Sequence, residues 1–66
     1  MQKNEIIKAY ELINQYVKEK HTDYEIYLKH IVNDNIEVQL KLKESRIKRP
    51  TLFLTFTYKD NNIVLL

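Results

Sequence analysis

The sequence predicts an α+β domain: an N-terminal amphipathic helix packed on one face of a three- to four-stranded antiparallel meander sheet, in the order α-β-β-β-β. Three observations carry that prediction. Apolar residues recur at three- and four-residue steps across residues 4–20, the period of a helix with one buried stripe. Residues 36–43 then alternate strictly between apolar and polar side chains, the period of a half-buried strand. Clusters of Asn and Asp punctuate the chain beyond the helix, where tight turns need residues that tolerate left-handed backbone.

The helix comes first. Ile6, Ala9, Tyr10, Ile13, Tyr16 and Val17 cover one face, and Lys8, Glu11, Gln15, Lys18 and Glu19 fill the other. Asn4 is the expected N-cap, with Glu5 in the first turn and Lys18 and Lys20 in the last, complementing the helix dipole. Tyr10 and Tyr16 lie on the buried face and are assigned to packing alone.

Residues 24–32 fit two periods. Tyr24, Tyr27, Leu28 and Ile31 suit a helix, and Thr22 with Glu25 has the form of a capping box. Ile26, Leu28, His30 and Val32 alternate as a strand, among many β-branched and aromatic residues. The following segment favours the strand. Ile36, Val38, Leu40 and Leu42 share one face, and Glu37, Gln39, Lys41 and Lys43 the other. A three-residue loop at Asn33-Asp34-Asn35 pairs 32 with 36, 30 with 38, 28 with 40 and 26 with 42, which places both apolar sets together. A two-residue turn at Asp34-Asn35 instead sets Leu40 against Lys29. The three-residue loop is therefore expected, and with it an outward row of Glu25, Tyr27, Lys29 and Ile31. Residues 44–50 form a loop ending in the one proline, Pro50. A third strand over 51–59 directs Leu52, Leu54, Phe56 and Tyr58 inward and Thr51, Phe53, Thr55, Thr57 and Lys59 outward. Asp60-Asn61-Asn62 makes a turn, and residues 63–66 a short fourth strand.

The whole chain, 1–66, is read as a single domain. At 66 residues, folding buries only about 60% of the surface of the unfolded chain. With no cysteine, disulfides and thiolate metal sites are excluded, which makes a partner subunit the first stabiliser to expect. Apolar residues make up 44% and charged residues 30%, a globular rather than a disordered profile. No apolar run approaches the ~20 residues of a membrane span, and the polar start Met1-Gln2-Lys3-Asn4-Glu5 is unlike a signal peptide. The expectation is a cytoplasmic protein without a membrane partner. Enrichment in Ile, Lys, Asn and Tyr points to an AT-rich genome, such as that of a low-GC bacterium or its phage.

Catalytic chemistry finds little footing. Ser45, the only serine, lies in a basic loop far in sequence from His21 and His30. The absence of glycine removes phosphate loops and dinucleotide fingerprints, which depend on glycine backbone. His21, Asp23 and Glu25, with His30 nearby, have the only metal-like spacing. They are read as a loop histidine beside solvated acids and a second histidine turned inward at the core edge. No catalytic residue, cofactor or metal is assigned.

Two features point to binding. The first 37 residues hold five lysines against seven carboxylates, whereas 38–66 hold six cations against two. Within 41–49, Lys41, Lys43, Arg46, Lys48 and Arg49 make five cations in nine residues, a run able to follow a phosphate backbone. Tyr27, Ile31 and Phe53, if outward together, form an apolar patch of the kind that marks interfaces, and the apolar 63–66 edge invites another strand. The α-β-β-β order resembles the front of a double-stranded-RNA-binding domain, without the second helix that makes part of that family's surface, so no residue is carried over from it. The functional expectation is a small non-enzymatic interaction module, an accessory or inhibitor protein of phage or mobile-element type. It binds a larger protein partner through Tyr27, Ile31, Phe53 and Arg46, and pairs as a homodimer through the open sheet face or the 63–66 edge. The alternative is a nucleic-acid-binding domain that sets Lys41, Lys43, Arg46, Lys48 and Arg49 on phosphates.

Overall fold

A computed structural model describes residues 1–66 and places the helix, α1 (Lys3–Lys20), where the apolar stripe lies. Its N-cap is Gln2 rather than Asn4. The reason is electrostatic and local: the Glu5 carboxylate accepts the Gln2 backbone N–H at 3.0 Å, half of a capping box that starts the helix two residues early. At the other end the His21 N–H donates to the Val17 carbonyl at 2.9 Å, behind Lys18 and Lys20 in the last turn.

Four strands follow as an antiparallel meander: β1 (Tyr24–Val32), β2 (Asn35–Leu42), β3 (Leu52–Lys59) and β4 (Asn62–Leu65), in spatial order β1-β2-β3-β4. The fold is thus one helix on a four-stranded open sheet, as the periodicities require. Ala9, Ile13 and Val17 of α1 are buried against Ile36, Val38 and Leu40 of β2 and Phe56 of β3. Tyr16 packs edge-on to Phe56, with ring centroids 5.3 Å apart and planes at 80°, the arrangement that sets a ring's positive edge against a negative face.

The first hairpin departs from the expected register. Val32 pairs with Asn35 across a two-residue turn, Asn33-Asp34, and not across a three-residue loop. Both turn residues take left-handed φ, 51° and 64°, the type I′ geometry whose twist matches paired strands. Asn and Asp here do the work usually left to glycine. A second turn, Asp60-Asn61, repeats it with φ of 54° and 62°, so that Asn62 belongs to β4.

A bulge then corrects the consequence. With Val32 opposite Asn35, an unbroken ladder would turn Tyr24 and Ile26 to the solvent side. Tyr27 is instead an extra residue between the pairs Ile26↔Leu40 and Leu28↔Gln39, and the shift returns Tyr24 and Ile26 to the helix side. Beyond the bulge the faces are the reverse of those expected. Lys29 and Ile31 stand opposite Val38 and Ile36 on the helix side, where the Lys29 ammonium lies 4.6 Å from the centre of the Tyr10 ring. Leu28, His30 and Val32 turn to the open side. Tyr10 therefore adds a cation–π contact to its packing role, and His30 is not the inward residue its position in the alternation implies.

Candidate functional site

The open face of the sheet is built by the same alternation that builds the core. Cross-strand pairing brings Leu28, Gln39 and Phe53 into one row, with Tyr27 sharing the place opposite Gln39. The next row is His30, Glu37 and Thr55, and the one after it Val32, Asn35, Thr57 and Val64. Neighbouring strands lie ~4.8 Å apart, so Leu28 and Phe53 flank Gln39 at a separation of about 10 Å.

The apolar side chains of the first row are exposed. Phe53 is 64% exposed, Tyr27 52% and Leu28 46%. Leu28 beside Tyr27 on β1 and Phe53 on β3 are thus exposed apolar side chains of one cross-strand row, with Gln39 between the two strands. Of the residues expected in the patch, Tyr27 and Phe53 are exposed on β1 and β3, on either side of Gln39. Ile31 is not among them: it stands on the helix side, opposite Ile36, and Leu28 takes its place. The signal for Leu28 was hidden because the alternation of residues 26–32 reads as unbroken, and a bulge leaves no mark in that pattern.

The charges sit at the same end of the sheet. Lys41 reaches across to Glu25 with Nζ 2.7 Å from Oε1. That hydrogen bond, reinforced by the Lys41 charge, holds the Glu25 carboxyl below the ordinary carboxylate range, and Lys43 and Lys48 add to the effect. The Lys43 N–H donates to the Asp23 carbonyl at 2.9 Å, which carries the β1–β2 pairing one step further. The loop from 43 to 51 then turns over this end. Ser45 Oγ accepts the Ile47 N–H at 3.0 Å, a local bond that shapes the turn. Arg46, Lys48 and Arg49 are exposed, and with Lys43 they take part in no ion pair. Lys43, Arg46, Lys48 and Arg49 are thus cations without carboxylate partners in the segment that leaves this end of the sheet.

Of the metal-like spacing, His21, Glu25 and His30 are separately engaged. His21 caps α1 and lies against Tyr16 and Tyr24, with ring centroids 5.8 and 6.1 Å away. Glu25 is held by Lys41, and His30 Nε2 lies 3.0 Å from Glu37 Oε1. No group of three His, Asp or Glu side chains converges on one point. A shallow depression of about 280 Å³ between α1 and β1 is lined by Asn14, Val17, Lys18, Tyr24, Glu25, Ile26 and Lys43, and brings together no nucleophile and base. No helix is long and apolar enough to cross a membrane.

No protein-family model matches the chain, and comparison with curated proteins and with solved structures finds no match either.

Proposed function

We propose that this chain is a non-enzymatic interaction module that binds a larger protein partner through the open sheet face. The observation that carries the reading is the exposed row of Tyr27, Leu28 and Phe53 on a sheet whose opposite face the helix covers. Helix packing already accounts for one apolar face, and nothing within the chain covers the other. The unpaired cations Lys43, Arg46, Lys48 and Arg49 suit a partner that offers acidic side chains as well as an apolar contact. Aromatic anchors in the middle and arginine at the border are the usual distribution of binding energy in such surfaces. An accessory or inhibitor protein, acting in the cytoplasm and covering a site on a larger molecule, fits this arrangement. The test is capture of partner from the native host by the tagged chain. Phe53→Asp should cut capture at least ~30-fold, the loss expected of a hot-spot aromatic, while the far-UV spectrum stays unchanged. Capture that survives this substitution overturns the proposed face.

A second reading rests on one specific observation. Lys43, Arg46, Lys48 and Arg49 are exposed and unpaired in a chain that also exposes Tyr27 and Phe53, a combination able to hold a single strand by phosphate contacts and base stacking. It requires binding of a labelled oligonucleotide that weakens steeply as salt rises. No binding at low salt eliminates it and leaves the protein-binding reading standing.

A further inference from the structure

We propose that β4 is a self-association edge: two copies pair their β4 strands antiparallel about a two-fold axis at Val64, joining two four-stranded sheets into one of eight. The backbone defines this register. Lys59↔Asn62, Tyr58↔Ile63, Thr57↔Val64 and Phe56↔Leu65 are the partners across β3 and β4, and the Leu66 N–H donates to the Thr55 carbonyl at 2.8 Å. In an antiparallel ladder every second residue bonds to the neighbouring strand, so Asn62, Val64 and Leu66 face β3. Ile63 and Leu65 turn their N–H and C=O groups to the free edge. The Ile63 N–H confirms that direction by bonding its neighbour's Asn62 Oδ1 at 2.8 Å, a bond the second copy replaces.

Only one two-fold register uses all of these groups. Setting Ile63 opposite Leu65 of the second copy pairs the edge groups of both residues within β4 and gives four inter-strand hydrogen bonds, whereas Ile63 opposite Ile63 sets Leu65 against the turn residue Asn61 and gives two. The axis then passes through the narrow Val64 pair, where side chains approach most closely. Val64 and Leu65, 45% and 46% exposed in the single chain, are both covered.

The two sheet edges differ in their defences. Residues 61–66 contain no charged side chain and no proline, and β4 carries no bulge. β1, at the opposite edge, has the Tyr27 bulge together with Glu25 and Lys29, features that discourage edge pairing. A four-residue strand covers less than the ~800 Å² per partner of a standard stable complex, so the dimer is a weak one. Because Val64 lies on the open face, the two-fold puts both open faces on the same side of the joined sheet. The dimer thereby presents two Tyr27–Leu28–Phe53 rows to one partner surface.

The chain contains no cysteine, so one engineered thiol reports the contact. Val64→Cys at 200 μM with oxidised glutathione should form disulfide dimers at least ten times faster than Gln15→Cys, an exposed helix position. Light scattering should show mass rising with concentration for the unmodified chain and for Phe53→Asp, which separates this interface from partner binding. Val64→Lys, whose side chain meets solvent in the single chain, should remain monomeric at 1 mM with an unchanged far-UV spectrum. Equal cross-linking of the two thiols, a monomeric mass for the unmodified chain at 1 mM, or a dimer that persists in Val64→Lys overturns the proposal.

Discussion

Among single residues, Glu25 shows most directly how placement sets chemistry. Its carboxyl lies on the open face with Lys41 Nζ 2.7 Å away, and Lys41 favours the ionised form. A carboxyl titrating below its ordinary value in the folded chain stabilises the fold at pH values above the unfolded pKa. That contribution disappears as pH falls through the folded value. Carbon-detected titration should therefore put the Glu25 midpoint below 4.5, its ordinary value, and Lys41→Gln should move it back upward. The same shift should shrink in high salt, because the pair meets solvent and is screened. A midpoint that is the same in Lys41→Gln and in the unmodified chain contradicts the pairing. The residue scale also shows what sequence can convey. The outward placement of Phe53 follows from the plain alternation of 51–59, whereas that of Leu28 depends on a backbone irregularity one residue before it.

At the scale of elements, the hairpins are specified by their turns as much as by their strands. A chain without glycine must spend Asn and Asp on four left-handed positions, Asn33, Asp34, Asp60 and Asn61. Left-handed backbone costs an L-residue ~1–2 kcal/mol, less for Asn and Asp, and Asp-Gly is among the preferred type I′ pairs. Asn61→Gly should accordingly raise the midpoint of thermal unfolding, by about 0.5–1 kcal/mol of stability, the scale of a backbone-compatible substitution. Asn61→Val, β-branched and unsuited to this region, should lower it by more. Differential scanning calorimetry of the pair decides the matter, and a Gly variant less stable than the Val variant refutes the turn assignment. These turns explain why the strands were legible and their register was not. The strands 36–43 and 51–59 advertise themselves by period, but Asn33-Asp34-Asn35 offers three turn-competent residues in succession. Shape and apolar parity favoured the longer loop. The bulge at Tyr27 achieves the same parity for Ile26 by a different route, and parity alone does not distinguish the two.

For the whole molecule, the deciding quantity is how little is buried. Seven residues form the core, and three of them, Ala9, Ile13 and Val17, come from α1. Most helical stability in proteins comes from packing of an amphipathic face rather than from propensity, so α1 owes its persistence to the sheet, and the helix side of the sheet owes its dryness to α1. Neither half is a stable unit, which predicts one cooperative transition. Phe56 is the largest core side chain, fully buried and touching α1 through Tyr16. Removing its ring by Phe56→Ala should cost about 3–5 kcal/mol through lost burial and the cavity left behind. At ~0.05–0.15 kcal/mol per residue, a chain of this size has a total stability of only about 3–10 kcal/mol. The variant should therefore lose from about a third to all of that stability, with its urea midpoint lowered to match. Urea titration of the unmodified chain should give the same midpoint by helical ellipticity and by tyrosine fluorescence, as a two-state unit requires. Phe53→Asp, three residues earlier and on the other face, should leave that midpoint within ~0.5 kcal/mol, the range of an ordinary surface change. If the two phenylalanines prove equally costly, the division of β3 into a core face and a binding face is wrong. The assignment of function to the open side then fails with it.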